Sequence, residues 1–400
     1  LKKQTIKDID VKGKRVLVRV DYNVPLDPQS GAITDDTRIR ATLPTLRYLL
    51  DQRARIILCS HLGRPDGKIV EKLRLAPVAR CLSQLLGQPV KTVNDCIGPE
   101  AERAAAELKE GEILLLENLR FHPEEEKNDP AFAEALSRLG EIFVNDAFGT
   151  MHRAHASTVG VTRYLPAVAG FLVEKELDIM GKTLTEPARP FATVLGGAKV
   201  SDKIRVLENI LGKVDSLLLG GGMACTFLRA KNYAVGRSPV EEDKLDFARK
   251  MMDEAEKRGV KVLLPSDVVV AEKPDSPQGA RQVPVAEIPS DWYIVDIGSQ
   301  TVENFSQELK RCHTVLWNGP VGINEIPQFA RGTRAIVQLL SELQATTVIG
   351  GGSTAEVVEE LGLVDKMTHV STGGGASLMF LEGRVLPGVA ALRDKEEKKE

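Results

Sequence analysis

Short apolar runs recur along the whole chain, separated by longer stretches of helical period. RVLVRV (15–20), RIILCS (55–60), EILLLEN (112–118) and EIFVND (141–146) occupy the first half. FATVLG (191–196), SLLLG (216–220), TVLWNG (314–319) and TTVIG (346–350) occupy the second. Brief β-branched runs bounded by Gly, Asn or Asp predict strands. Between them, RIRATLPTLRYLLDQ (38–52) and KLDFARKMMDEAEKRG (244–259) keep their apolar residues on one helical face. Strands that are apolar throughout, rather than alternating, must be covered on both faces, as in parallel sheets with helical crossovers. The pattern therefore predicts an α/β chain with two doubly wound parallel-sheet, Rossmann-like domains.

The halves meet within 166–190. LPAVAGFLVEKELDIMGKTL predicts one long helix opening at Pro166, because proline suits a first helical turn. TEPARP then carries two prolines and reads as a stiff linker. The expected division is 1–168, a connecting helix and hinge over 166–190, a second domain over 190–380, and a final segment 381–400. The charge run RDKEEKKE at its end reads as a solvated helix terminus.

A length of 400 residues exceeds one ordinary core, which supports two domains. A net charge of −3 argues against a broad basic face, so no nucleic-acid partner is expected. No apolar run approaches the ~20 residues of a membrane span, so no membrane partner is expected either. The five cysteines (Cys59, Cys81, Cys96, Cys225, Cys312) are odd in number and form no CxxC pair. Reduced thiols and a cytoplasmic location follow as expectations, and a zinc site does not. The opening LKKQTIKDIDVKGKR lacks the apolar core of a signal peptide.

Parallel sheets gather ligands at the carboxyl ends of their strands, so the residues that follow each run carry the chemistry. In the first half these are Asp21 and Asn23, then His61-Leu62-Gly63-Arg64, then Arg120, then His152-Arg153-Ala154-His155, with Arg38 opening the first long helix. Each arginine alone could be an ordinary solvated or paired cation, and Arg38 could pair with Asp35 or Asp36. Together they form a rim that repels itself unless a small polyanion sits within it, and guanidinium forks match carboxylate and phosphate oxygens. His152 and His155 lack a third ligand of fitting spacing, so no metal is assigned to them.

The second half places glycines after its strands instead, in LGGAKVSDKI (195–204), LGGGMACTFL (219–228), IGGGSTAEVV (349–358) and STGGGASLMF (371–380). Glycine allows close backbone approach, and a helix start offers free N–H groups, so these turns read as phosphate cradles. Lys199 and Lys203, four apart at an expected helix start, oppose the helix dipole unless an anion lies between them. There is no P-loop, since Glu176 stands where its first glycine belongs, and no GxGxxG. A dinucleotide-dependent oxidoreductase is thereby disfavoured, as is a non-catalytic two-lobed binding protein, a class normally exported.

One half gripping an anion with side chains and one cradling phosphates with backbone suggest phosphoryl transfer across a cleft. RVDYNVP, SHLGRP, ENLRFHPEEE, NDAFGTMHRAHAST, GGAKVSDKI, WNGPVG and STGGGAS resemble the phosphoglycerate kinase family, in its order and over essentially the whole chain. The resemblance implies reversible transfer between 1,3-bisphosphoglycerate and ADP, giving 3-phosphoglycerate and ATP with Mg²⁺, by a monomer whose domains close about a hinge. It implies that Asp21, Asn23, Arg38, His61, Leu62, Gly63, Arg64, Arg120 and Arg153 bind the triose. It implies nucleotide contacts from Gly197, Ala198, Lys199, Lys203, Gly221, Gly222, Asn318, Pro320, Glu325, Gly350, Gly351, Gly352, Ser353 and Thr354. Arg38, Lys203, Gly352 and Gly375 are expected at the transferring group. At Ser353 the chain departs from the family, which commonly has an aspartate there that meets the nucleotide-bound Mg²⁺.

Overall fold

A computed structural model describes residues 2–396 of the chain. They divide into two compact units, 2–178 with 385–396, and 179–384. The boundary between the first two segments falls inside the helix Phe171–Thr185.

In the first unit six strands form one sheet: β1 (Arg15–Arg19), β2 (Arg55–Cys59), β3 (Val90–Thr92), β4 (Ile113–Leu115), β5 (Ile142–Asn145) and β6 (Ala167–Ala169). Every pairing is parallel, and the spatial order is β3-β4-β2-β1-β5-β6. Val16 and Val18 of β1 pack with Ile56 and Leu58 of β2 and Ile142 and Val144 of β5 into a core against Leu46, Leu49, Val78 and Leu82 of the covering helices. That burial on both faces is why these runs lack a polar alternation. From β1 the chain winds to one side through β2, β3 and β4, then crosses to place β5 and β6 on the other. The loops after β1 and β5 consequently diverge and leave a crevice at the carboxyl edge, where such sheets hold ligands.

The second unit repeats this plan with β7 (Phe191–Leu195), β8 (Ser216–Leu219), β9 (Lys261–Leu263), β10 (Asp267–Ala271), β11 (Arg281–Pro284), β12 (Tyr293–Ile297), β13 (Thr314–Asn318), β14 (Thr346–Gly350) and β15 (His369–Ser371). Its main sheet is parallel in the order β15-β14-β13-β7-β8-β9, with the crossover between β7 and β13. One face packs Leu195, Leu217 and Leu316 against Val206, Phe227 and Met251, and the other packs Val194, Leu218 and Trp317 against Phe305, Ile336 and Leu340. A small antiparallel sheet, β11-β10-β12, completes the unit.

Four local expectations require correction. The single helix from Pro166 is a strand followed by a helix: Ala167–Ala169 pairs with Phe143–Asn145, and the helix opens only at Phe171. The strand wins because its backbone completes the sheet edge, while Gly170 ends it and leaves the N–H of Leu172 to Asp146. The helix beginning at Arg38 is two helices, Thr37–Ala41 and Leu43–Asp51, broken just before Pro44. The first glycine turn of the second half does not enter a helix directly; Ile204–Leu211 starts seven residues after Gly197, with Lys203 as N-cap. The tail is not a helix end where it is described. Arg393 N–H bonds the Ala167 carbonyl, Lys395 N–H bonds the Lys2 carbonyl, and Lys3 pairs with Asp394 at 2.7 Å. Residues 397–400 of that run lie outside the described residues.

Asp146 carries a consequence for pH. It is fully buried at the end of β5, its Oδ1 accepts the Leu172 N–H at 2.9 Å, and its Oδ2 has no partner. Burial pushes its carboxyl up to about 7, against the opposing pull of hydrogen bonds from Thr45 and Leu172. The folded chain thus keeps a proton that an unfolded aspartate, with a pKa near ~3.9, has released, so this group costs stability as pH rises through that interval. Asp146→Asn is expected to gain stability relative to the native chain progressively from about pH 5 to 8, by roughly 2–4 kcal/mol at the top, seen as a rising difference between the urea midpoints. A difference between the two midpoints that stays constant with pH would show that Asp146 does not titrate there.

Candidate active site

At the carboxyl edge of the first sheet, the sequence-expected residues fall on four adjacent strands. Arg120 follows β4, His61 to Arg64 follow β2, Asp21 and Asn23 follow β1, and Arg153 follows β5. Local bonds set their positions. Asn23 Oδ1 accepts the Gly63 N–H at 2.9 Å, and Arg120 Nη1 donates to the Gly63 carbonyl at 3.2 Å. Arg38 reaches into the same group: its Nη1 donates to the Asn23 carbonyl at 2.6 Å and lies 3.7 Å from Asp21 Oδ1. The expected alternative partner, Asp36, instead holds Arg40 at 2.9 Å. Arg64 and Arg153 are exposed, and their guanidinium groups have no hydrogen-bond or ion-pair partner among the described residues.

Burial, reinforced by neighbouring guanidinium groups, favours the neutral imidazoles. Burial first, then Arg19, Arg120 and Arg38, hold His61 well below the ordinary histidine value. His155 falls to about 4 through burial and then Arg120, Arg19 and Arg153. His152 falls through burial and then Arg153. The Nδ1 atoms of His152 and His155 are buried without a partner. Arg120 is itself buried, and its Nε lies 3.2 Å from Glu126 without the geometry of a hydrogen bond. A rim with four arginines, three histidines shifted toward the neutral form and few opposing acids concentrates positive potential at this edge.

Sequence reasoning passed over the groups that brace this rim. Asn118 Oδ1 accepts from Leu62 and Arg120 N–H, while its Nδ2 donates to the Leu62 and Leu73 carbonyls at 2.8 and 2.9 Å. It thereby fastens the loop after β2 to the turn after β4. The Leu62 and Gly63 amides are both used in this way within the unit. Arg19, Glu125 and Ser157 form a fully buried polar group beneath His61. The available signal was an arginine inside the otherwise apolar RVLVRV, because a buried charge is retained only with partners.

The second unit brings its glycine turns together at the edge of five contiguous strands, β8, β7, β13, β14 and β15. Gly197 N–H bonds the Pro320 carbonyl, Gly221 N–H bonds the Val321 carbonyl, and Met223 N–H bonds the Gly197 carbonyl, each at 3.0 Å. Three helices begin here, Gly221–Ala230, Gly352–Glu360 and Gly375–Leu381, each presenting its N-terminal amides at this edge. Gly221 has φ +68°, and a Cβ there would meet the Gly197 nitrogen and oxygen and the Pro320 oxygen at 2.7 to 2.9 Å. Gly351 has φ +124°, and a Cβ would stand 2.6 Å from Asn318 Nδ2.

Lys203 is half-buried and hydrogen-bonds Asn318 Oδ1, and Asn318 Nδ2 bonds the Gly350 carbonyl. Burial lowers the Lys203 ammonium from its usual value, with Asp202 and Glu382 opposing. Lys199 and Ser353 are exposed without partners among the described residues, whereas the Thr354 hydroxyl is spent on the Gly319 N–H at 3.0 Å. Beside the turns is a cavity of about 360 Å³ lined by Gly197, Ala198, Gly222, Pro320 and Glu325, with Leu228, Val268 and Val295 among its apolar walls. Apolar walls with an exposed carboxylate at the margin suit a planar base and a sugar.

Among the described residues, one group of three metal-capable side chains converges, Asp95, Cys96 and His122 in the first unit. His122 Nε2 and Asp95 Oδ1 already satisfy each other at 2.6 Å, and the Cys96 thiol is buried and held protonated. No helix among the described residues is long and apolar enough to cross a membrane.

A family model described as Phosphoglycerate kinase matches residues 6–384. The phosphoglycerate kinase of Pelotomaculum thermopropionicum is 57% identical over 393 residues, covering 98% of this chain and 100% of the relative. That of Moorella thermoacetica is 56% identical over 395 residues, covering 98% and 100%. Among solved structures, phosphoglycerate kinase from Coxiella burnetii superposes with a TM-score of 0.87 at 39% identity, covering 97% of this chain and 98% of that one. The Pyrococcus horikoshii enzyme gives 0.85 at 34%, with the same coverage. Matches of this extent, to a chain that already carries a cation rim on one sheet and a backbone cradle on the other, mean that it belongs to the phosphoglycerate kinase family.

Proposed function

We propose that this chain transfers a phosphoryl group reversibly between 1,3-bisphosphoglycerate and ADP, giving 3-phosphoglycerate and ATP. The first unit would hold the acid through Asp21, Asn23, Arg38, His61, Arg64, Arg120 and Arg153, and the second the nucleotide through its glycine turns, Lys203 and Glu325. The observation that carries this division is chemical: four arginines gathered at one sheet edge, glycine turns and three helix starts beside an apolar cavity at the other.

In the ATP-consuming direction the attacking group is a carboxylate with a pKa of roughly 4, already ionised at neutral pH. No general base is required. The protein's task is to align donor and acceptor and to surround the transferring group with positive charge. Arg38 and Lys203 supply that charge, with amides of the Gly352 and Gly375 helix starts. The two sets of groups belong to different units, so closure about the hinge expected within 166–190 would align acid and nucleotide and exclude water.

Hard oxygen donors suit Mg²⁺, and the exposed Ser353 hydroxyl and Asp202 carboxylate are such donors at the nucleotide edge. Bound with the nucleotide, Mg²⁺ would offset phosphate charge. Serine contributes a dipole where aspartate would contribute charge, so the cation depends more on phosphates and water. The working form is a cytoplasmic monomer acting on small molecules, with no nucleic-acid partner.

The direct test is formation of 1,3-bisphosphoglycerate from 3-phosphoglycerate and ATP, titrated with Mg²⁺. The native chain is expected to turn over fully, and Ser353→Asp to lower the half-saturating Mg²⁺ by about 2–10-fold through its added charge. Absence of turnover at any Mg²⁺ concentration would remove the kinase reading. Weak turnover restored by Ser353→Asp would keep it and locate the defect at the metal.

A further inference from the structure

Arg19 lies at the end of β1 with its side chain fully enclosed. Each of its nitrogens faces a specific group. Nε donates to Ser157 Oγ at 2.8 Å, Nη1 donates to the Val20 carbonyl, and Nη2 lies 3.1 Å from His61 Nδ1. Ser157 in turn donates its hydroxyl to Glu125 Oε2 at 2.6 Å and its N–H to Oε1 at 2.7 Å. Glu125 Oε2 is 3.9 Å from Arg19 Nη2, so the guanidinium is fixed from behind by a buried carboxylate and a hydroxyl.

A guanidinium donates from every nitrogen and accepts at none. In its contact with His61, therefore, only the imidazole Nδ1 can be the acceptor. That nitrogen must carry a lone pair, which leaves the single ring proton on Nε2. Protonating Nδ1 would set two N–H groups against each other, and flipping the ring would replace the acceptor with a carbon. Nε2 makes no hydrogen bond to any described residue. The ring is 4% exposed, so a ligand oxygen meeting Nε2–H would find a donor with little competing water.

We infer that Arg19 is a positioning residue: it locks His61 in the Nε2–H tautomer, so that the ring offers one uncharged donor to an oxygen of the bound acid. This rests on the acid-binding reading of the first unit. Its chemical meaning is a division of labour. The arginines recognise charge, whereas His61 recognises the position of an acceptor and takes up no proton when the acid binds. The groups facing the ring reinforce this: Arg19 from β1, Arg38 from its helix, Arg120 from the turn after β4, and His155 from the loop after β5.

The test is ¹⁵N NMR of the full-length protein labelled at histidine, with His61 assigned from the signal lost in His61→Gln. Without ligand, two-bond correlations are expected to show a bare acceptor Nδ1 and a protonated Nε2, unchanged from about pH 6 to 8. A proton on Nδ1, a tautomer mixture, or an imidazolium in that range would overturn the lock, and this needs no variant at Arg19. Arg19→Lys, still a pure donor, should keep the tautomer, while Arg19→Gln, which can also accept, should release it; retention in Arg19→Gln would show that Arg19 is not the cause. Adding 3-phosphoglycerate should then shift Nε2–H. A locked ring that ignores the acid would overturn the donor role and the placement of the acid beside His61, separately from the tautomer result.

Discussion

Replacing Arg38 by alanine is expected to lower kcat for phosphoryl transfer from ATP to 3-phosphoglycerate by about 10²–10⁴-fold, the range in which a transition-state arginine acts. The nucleotide Kd should change by less than about threefold, because Arg38 belongs to the other unit. The geometry supports a group that is steered but not consumed. One nitrogen is tied to the Asn23 carbonyl and lies near Asp21, and the side chain remains 38% exposed. Its remaining N–H groups are free to meet charge that develops on the transferring phosphoryl group. Arg40→Ala is the control, since Arg40 is two residues away, exposed, and paired with Asp36. A solvent-screened surface pair of that kind contributes little, and its loss should leave kcat alone. An unchanged kcat in Arg38→Ala would end the assignment, and a raised KM with normal kcat would reduce Arg38 to ground-state binding of the acid.

The second large effect is expected at Gly221. Alanine there must hold φ near +68° and push its methyl against three backbone atoms of Gly197 and Pro320. A left-handed conformation costs about 1–2 kcal/mol for a residue with a Cβ, and overpacking adds roughly 1–3 kcal/mol. Backbone cannot yield as a flexible side chain does, so strain is relieved by displacing the turns at Gly197 and Pro320. Both line the cavity next to the glycine turns. Gly221→Ala should therefore lower the thermal midpoint of the second unit and weaken ADP binding by at least about tenfold, with 3-phosphoglycerate binding untouched. Equal weakening of both ligands would indicate general unfolding, and unaltered ADP affinity would place the nucleotide elsewhere.

The elements visible in the sequence were those whose burial is complete. β1, β2, β4, β5, β7, β8, β13 and β14 are predominantly apolar runs because helices cover both their faces. β3, β9 and β15 are three-residue edge strands with partly open side chains, and their pairing comes from the neighbour, not from their composition. β6 was hidden although its side chains are buried, since Ala-Val-Ala has no strong preference until β5 offers its backbone. The rim cations were legible because each follows an apolar run. Their supports were not: Glu125 and Ser157 meet Arg19 across more than a hundred residues of chain, and Asn118 acts through loops fifty-six and forty-five residues away. Local pattern contains no record of such pairings. The cavity walls at Val268 and Val295 were equally silent, since they come from the small antiparallel sheet.

The first unit is discontinuous in sequence, joining residues 2–178 with 385–396. Residues 385–396 return to it, where Gly388 N–H bonds the Met151 carbonyl and Arg393 N–H bonds the Ala167 carbonyl. The second unit, by contrast, is one uninterrupted stretch, 179–384. During synthesis on a ribosome the order of completion is therefore the reverse of the order of appearance. The nascent first unit emerges first yet must wait, its edge beside β6 and Lys3 uncovered, until residues 385–396 have left the exit tunnel. The second unit can close before that moment, and the emergence of residues 385–396 becomes the event that seals its older neighbour.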